Sequence, residues 1–264
     1  MHQLDDLHCH VHDPRLRPHL PVIRQRCHDA LLRRVVSCST GPDDWQALAE
    51  LAADWPQLIP AFGLHPWYTV TVVEDWLEQL RSLLLAHPRA LIGEAGLDGS
   101  AEQDPLDLQR VALRDQLRLA QELNRPVVVH VVRAWSELIV DLEQLTPPAG
   151  VLIHASTADA ALIEHLLPLG AWFSYGGAIT NPERRRARAS LQACPADRLL
   201  LETDCPDNLP ANAPAALRDS HGDMLNDPSQ IQQVLQVAAA LRGEDPAALA
   251  ARCRDNADRF LEAW

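Results

Sequence analysis

The chain has 264 residues, with 36 carboxylate side chains against 23 basic ones, a formal net charge of −13 and 47% hydrophobic residues. This is globular composition, which excludes disorder, collagen-like repeats and a membrane bundle, and the charge repels nucleic-acid phosphates at long range. There is no lysine, so all 23 basic residues are arginine, and a Walker A lysine, a Schiff-base lysine and a carbamylated-lysine metal bridge are ruled out.

The six cysteines, at 9, 27, 38, 194, 205 and 253, contain no C-x-x-C pair and read as free thiols. Met1–Asp6 lacks the basic and apolar regions of a signal peptide, and no apolar run approaches the ~18–20 residues of a membrane span. The expected location is the cytoplasm, with no membrane association.

Apolar runs alternate with helix-like segments along the whole chain. The first predicted strand, Leu4–Val11, carries His8-Cys9-His10. Strand side chains alternate, so the two imidazoles point the same way, as a shared metal requires. An isolated H-x-H is a weak signal, and the nearby His2 reads as solvated. Strands follow at Arg34–Thr40 and Leu58–His65, then at Ala90–Asp98, which holds Glu94 within an apolar stretch. A carboxylate there needs a cation or a buried arginine, and Gly93 and Gly96 predict open space around it, which favours the cation. Asp98 ends that strand as either a ligand or a turn cap.

The segment Asp104–Asn124 has helical apolar spacing through Leu106, Val111, Leu113, Leu117 and Ala120. Pro126–Val132 and Gly150–Ser156 are apolar strands that reach His130 and His154. Ala171–Gly177 is the seventh strand. Leu199–Asp204 is the eighth and brings Glu202 and Asp204, with Glu202 read as a supporting or salt-bridge partner. Helices at about Pro228–Leu241 and Asp245–Glu262 close the chain.

Eight strand–helix units, with no Gly-rich dinucleotide fingerprint after the first strand, predict an α/β fold: a single-domain (β/α)8 TIM barrel over residues 1–264. His8, His10, Glu94, His130, His154 and Asp204 all fall near the carboxyl ends of strands, where such barrels carry their sites. Four imidazoles and two carboxylates make a mixed N/O set suited to two divalent ions, with Mg, Zn, Mn or Fe compatible.

These residues resemble the TatD family of metal-dependent deoxyribonucleases, a branch of the amidohydrolase-like barrels. The resemblance runs in order through His8-Cys9-His10, Gly63-Leu64-His65-Pro66, Gly93-Glu94-Ala95-Gly96-Leu97-Asp98, Pro126–His130, His154, Glu202-Thr203-Asp204-Cys205-Pro206 and Asn256-Ala257. It implies metal-dependent hydrolysis of DNA phosphodiester bonds, in some members as a 3′-to-5′ exonuclease. It carries ligand roles to His8, His10, Glu94, His130, His154 and Asp204, and substrate contact to His65. With no lysine available, Glu94 takes the bridging place in a binuclear site.

Three positions depart from the family pattern: His12 before Asp13, Val131-Val132 between His130 and Arg133, and Thr157 after His154-Ala155-Ser156. All three bear on the substrate rather than the ligand set. In the expected reaction metal lowers the pKa of bound water, and Asp204 ligates and accepts or orients the water's proton. Glu94 and His65 complete the catalytic group, while His65 and Arg133 contact the substrate. The Arg184-Arg185-Arg186 run is either a phosphate contact or a solvated helix face. Trp67, Tyr68 and Trp135 are candidates for base stacking. The expected partners are DNA, as single strands or 3′ ends, or a small phosphoester. The alternatives are a metal-dependent hydrolase of a small phosphoester, ester or amide, and a catalytically inactive metal- or partner-binding protein. The inactive alternative predicts a missing ligand, and none of the six is missing.

Overall fold

Eight parallel strands pair in chain order: β1 (Leu4–Cys9), β2 (Leu32–Cys38), β3 (Leu58–Phe62), β4 (Leu91–Asp98), β5 (Val127–Val132), β6 (Val151–Ile153), β7 (Ala171–Tyr175) and β8 (Leu199–Leu201). Each is followed by a helix: α1 (Leu20–Asp29), α2 (Pro42–Asp54), α3 (Trp76–Ala86), α4 (Leu106–Leu123), α5 (Trp135–Gln144), α6 (Ala160–Leu166), α7 (Arg185–Ala193) and α8 (Ile231–Arg242). A further helix, α9 (Pro246–Leu261), follows α8. This α/β connectivity is that of the (β/α)8 barrel. The computed structural model describes residues 1–100, 104–211, 213 and 217–262. Among them, no helix is long and apolar enough to cross a membrane.

Most of the strands are short apolar runs because parallel strands in a barrel are covered on both faces, while β1 and β2 also carry Asp5, Asp6, Arg33 and Arg34. Six end earlier than the sequence suggests: β1, β2 and β7 each by two residues, and β3, β6 and β8 each by three. β3 stops before His65, β6 before His154 and β8 before Glu202. Ala155 (φ 43°) and Asp204 (φ 54°) lie in the left-handed region, which an extended strand cannot continue through. The periodicity also gave no sign of the hairpin of β9 (Leu217–Arg218) and β10 (Met224–Leu225), whose two-residue strands are too short to show alternation.

Two compact units are distinguished, each assembled from separated stretches of chain. The first comprises Met1–Ser37, Ala155–Glu164 and Phe173–Arg259. In it β1 meets β8, with Asp204 N–H donating to His8 O (2.9 Å) and His10 N–H to Cys205 O (2.6 Å). Buried Ile231, Val234, Leu235 and Ala238 mark the inner face of α8, which packs on β1 and β8. At the amino end of β1, buried Asp5 receives both Arg33 and Arg34, and these also pair with Asp258.

The second unit comprises Cys38–His154, His165–Trp172 and Phe260–Trp264. There α4 buries Leu113, Leu117 and Ala120 as expected. Val111, expected on the same face, is instead 55% exposed, and Gln109 and Gln116 are buried. All six cysteines are buried free thiols.

Candidate metal centres

In the first unit, β1 alternation sets Asp6 and His8 on one side of the strand, and His10 follows directly after its end. Asp6 is fully buried and accepts hydrogen bonds from Thr203 N (2.9 Å) and Thr203 Oγ1 (2.5 Å). Burial pushes its carboxyl well above the usual range despite those bonds. The contact ties the chain after β8 to β1 one residue before Asp204.

Asp204 Oδ1 stands 3.3 Å from His8 Nε2 and 3.7 Å from His10 Nε2. Its other oxygen accepts from Asn208 Nδ2 at 2.5 Å. The Asn208 loop lies against Gly177, where a Cβ would come within 1.7 Å of Asn208 O, so only glycine admits this approach. Buried Asn226 donates to Thr203 O (2.8 Å) and Asp207 O (2.9 Å), clamping the same segment from behind. Glu202 has the supporting role expected of it, but through hydrogen bonds: it accepts from Ala155 N (2.7 Å) and from the Ser174 hydroxyl.

In the second unit, Glu94 is 2% exposed and its neighbours are imidazoles. Glu94 Oε1 lies 2.9 Å from His154 Nε2, 3.1 Å from His130 Nδ1 and 3.4 Å from His65 Nε2. His130 Nδ1 and His154 Nε2 are themselves 3.2 Å apart. The expected open space beside Glu94 is absent, because a Cβ on Gly96 would meet His130 O at 2.0 Å and one on Gly93 would meet Val128 Cβ at 2.9 Å. These glycines bring β4 close to β5, and so carry Glu94 to His130.

Asp98 has the turn-cap role that the sequence offered, and its carboxylate also faces an imidazole. It accepts from Ser100 N (2.9 Å) and Trp67 Nε1 (2.8 Å), and faces His130 Nε2 at 3.3 Å. Burial raises its carboxyl pKa, but the bonds from His130, Ser100 and Trp67 outweigh that and hold it below the usual range. The ionised carboxylate only accepts, so His130 carries its proton on Nε2 and turns the Nδ1 lone pair toward Glu94 and His154. Burial disfavours charge on His130, yet Asp98 and Glu94 overcome it and raise its pKa. Glu94 Oε1, His130 Nδ1 and His154 Nε2 thus converge on one point, an arrangement able to hold a cation.

Two buried glutamines, seven residues apart on α4, organise this unit, and the sequence reading missed them. Gln116 Oε1 accepts from Leu64 N (2.8 Å) and its amide donates to Leu64 O (3.1 Å), holding the residue before His65. Gln109 does the same for Asp98, accepting from its N–H (2.7 Å) and donating to its C=O (3.0 Å). Polar side chains at i and i+7 on an otherwise apolar helix face were the available signal.

His65 Nδ1 accepts from Trp67 N at 3.2 Å, which leaves its proton on Nε2. His65 therefore presents a donor at this centre, whereas His130 presents a lone pair. Arg133 follows β5 in the left-handed region (φ 52°) with an exposed side chain. Arg184, Arg185 and Arg186 are exposed around the start of α7, and Trp135 is half-buried at the start of α5.

Ligand atoms about 2.1 Å from one divalent ion, at octahedral to tetrahedral angles, stand roughly 3.0–3.4 Å apart. The Glu94, His130 and His154 edges of 2.9–3.2 Å match that spacing. The His8–Asp204 edge of 3.3 Å matches as well, and the His10–Asp204 edge is longer, at 3.7 Å. The profile of the family described as TatD related DNase matches residues 5–262. The chain belongs to the TatD family.

YabD of Bacillus subtilis (strain 168), described as an uncharacterized metal-dependent hydrolase, is 26% identical over 259 residues, covering 98% of each chain. A protein of Yersinia pseudotuberculosis serotype O:3 named 3′-5′ ssDNA/RNA exonuclease TatD is 32% identical over 244 residues, covering 89% of this chain and 90% of that one. The crystal structure of YjjV, a TatD homologue from Escherichia coli K12, superposes with a TM-score of 0.89 at 27% identity, covering 97% of both chains. This TatD-family chain is accordingly a metal-dependent hydrolase of ester bonds, built as a (β/α)8 barrel and carrying His/Glu/Asp clusters able to hold metal.

Proposed function

We propose that the chain is a metal-dependent deoxyribonuclease that hydrolyses DNA phosphodiester bonds, acting on single strands or 3′ ends in the manner of a 3′-to-5′ exonuclease. The observation that carries this reading is the convergence of Glu94 Oε1, His130 Nδ1 and His154 Nε2 at 2.9–3.2 Å. The exonuclease name of the Yersinia relative supplies the substrate class. Two divalent ions (Mg, Zn or Mn) are assigned, one to the His8, His10 and Asp204 cluster and one to the Glu94, His130 and His154 cluster. When bound, such ions lower the pKa of a water and neutralise charge on the phosphoryl oxygens.

The chain's own residues do the rest. Asp204 turns Oδ1 to the imidazoles while Asn208 holds Oδ2, so the carboxylate is fixed in place to accept or orient the water's proton. Glu94 supplies negative charge that keeps its imidazole neighbours at the centre. His65 offers its Nε2–H as a hydrogen-bond donor to a phosphoryl oxygen, held in that tautomer by Trp67 N–H. Arg133, exposed beyond β5, contacts a phosphate.

Residues 1–264 are assigned as one TatD-like domain, since each unit is interleaved with the other in sequence and no single cut of the chain separates them. Six buried free thiols fit a reducing compartment, and the activity is placed in the cytoplasm. The net charge of −13 favours a second reading, hydrolysis of a small phosphoester, because a polyanion is repelled by this surface.

One experiment tests both: metal analysis of the purified protein, followed by assays on single-stranded DNA and on a panel of small phosphoesters, with and without chelator. The expected result is bound divalent metal and stepwise shortening of DNA from its 3′ end, lost on chelation and restored by metal. Turnover of the small esters alone overturns the nuclease reading, and activity indifferent to chelator overturns both.

A further inference from the structure

A cavity of about 220 Å³ opens beside His65, between the start of α2 and the loop that follows β3. Its walls include Thr40, Pro42 and Asp43 on one side and Tyr68, Val72 and Val73 on the other. The walls are fixed to His65 itself. His65 N–H donates to Thr40 O at 2.8 Å, Tyr68 N–H donates to His65 O at 3.1 Å, and the His65 and Tyr68 rings lie 6.2 Å apart. Farther along, Asp104 anchors the Tyr68 loop by accepting from Thr69 Oγ1 (3.0 Å) and Val70 N (2.8 Å). The cavity is therefore formed before any ligand arrives, and ordering it costs binding little.

The lining decides what fits. Among the described residues, no arginine or histidine lines the cavity. The donors at the start of α2 are already engaged, because Asp44 accepts from Thr40 N (2.7 Å), Thr40 Oγ1 (2.8 Å) and Gly41 N (3.3 Å). Asp43 adds an exposed carboxylate that can only accept. A phosphate is repelled here. A neutral planar ring with N–H groups on its edge is complementary, since the 44%-exposed Tyr68 offers a stacking face and Asp43 an acceptor.

We propose that this cavity is a nucleobase subsite: it takes the base of the nucleotide whose phosphate lies at His65, stacked on Tyr68 with its N–H edge toward Asp43. The assignment rests on the nuclease reading and extends it, because it makes the enzyme sense the base next to the cleaved bond. Asp43 favours bases that present an amino group over thymine.

The test uses the metal-loaded protein and single-stranded oligonucleotides that differ only in carrying a normal or an abasic (tetrahydrofuran) residue at the last or the penultimate position. Wild type is expected to lose about 5- to 150-fold in kcat/KM at one of those positions, the range that stacking on one aromatic ring supplies. Tyr68→Ala is expected to erase that discrimination with metal content unchanged, and Tyr68→Phe to keep it. Asp43→Asn is expected to level the rates among the four bases.

Binding is read separately by calorimetry with dCMP and with deoxyribose 5-phosphate. Wild type should prefer dCMP, and Tyr68→Ala should not. DNA cleavage that ignores the abasic residue, or discrimination that survives Tyr68→Ala, overturns the subsite and leaves the nuclease reading standing. Tyr68-dependent preference for dCMP without DNA cleavage overturns the nuclease reading and leaves the subsite.

Discussion

The two carboxylate–imidazole clusters are built to different tolerances. Around Glu94 the ligand atoms are 2.9–3.2 Å apart, and the Glu94, His154 and His130 side chains are only 2%, 7% and 13% exposed. Behind them stand Asp98, Trp67 and the two α4 glutamines, which fix a proton position and a loop apiece. Around Asp204 the edges open to 3.3 and 3.7 Å, and Asp204 and His10 are 13% and 18% exposed. Asp204 is set by a left-handed backbone, by its N–H bond to His8 O and by the loop that carries Asn208. On the proposed two-ion reading, the Glu94 cluster is the one preorganised to retain an ion tightly, and the Asp204 cluster leaves room for water and a changing ligand shell.

The contrast predicts unequal losses. Glu94→Ala removes the carboxylate shared by three imidazoles, and should strip metal from the protein and lower kcat by roughly 10³-fold or more. Metal analysis beside a nuclease assay checks it, and near-normal metal content would show that the imidazoles suffice. Asp204→Asn keeps the shape, the Asn208 contact and the fold. It should abolish turnover, on the order of a 10³-fold loss, while the Glu94 cluster keeps its ion. If Asp204→Asn instead loses as much metal as Glu94→Ala, the two clusters are not distinct in retention.

How far the sequence revealed these clusters follows from what each residue stands next to along the chain. His8, His10, Glu94, His130, His154 and Asp204 were legible because each is a polar residue set within or just beyond an apolar run, where burial demands a partner. The eight-strand order was legible for the same reason, since every run was long enough to read and each gap held a helix. The supports were not. Asn226 and Asn208 matter only because a loop folds back on them, and their local sequence is ordinary turn sequence. Asp6 sits in strict alternation with His8 and His10, a signal present but not weighed. Gly96 was read in the wrong sense: the missing side chain admits the neighbouring strand's backbone rather than empty space. Periodicity records which face of a segment is apolar, not which backbone comes to lie against it.

The smallest expected effect separates preorganisation from ligation. Asp98→Asn keeps the side-chain shape and one acceptor oxygen, enough for Ser100 N at the Oδ1 position, while the amide nitrogen at the Oδ2 position no longer accepts from Trp67 Nε1. It also loses the negative charge opposite His130 Nε2, 3.3 Å away, which fixes the imidazole tautomer and makes Nδ1 a stronger electron donor. Partners of this kind typically contribute 10- to 100-fold in metal affinity, so Asp98→Asn should weaken the tighter ion by about that factor. At saturating metal, activity should recover to within a few-fold of wild type, because no ligand atom has been removed. Titration with a competing chelator measures the affinity, and the same assay at high metal measures the recovery. A loss that metal cannot restore would place Asp98 among the groups that act on the substrate itself, and the tight cluster would then be more than a metal holder.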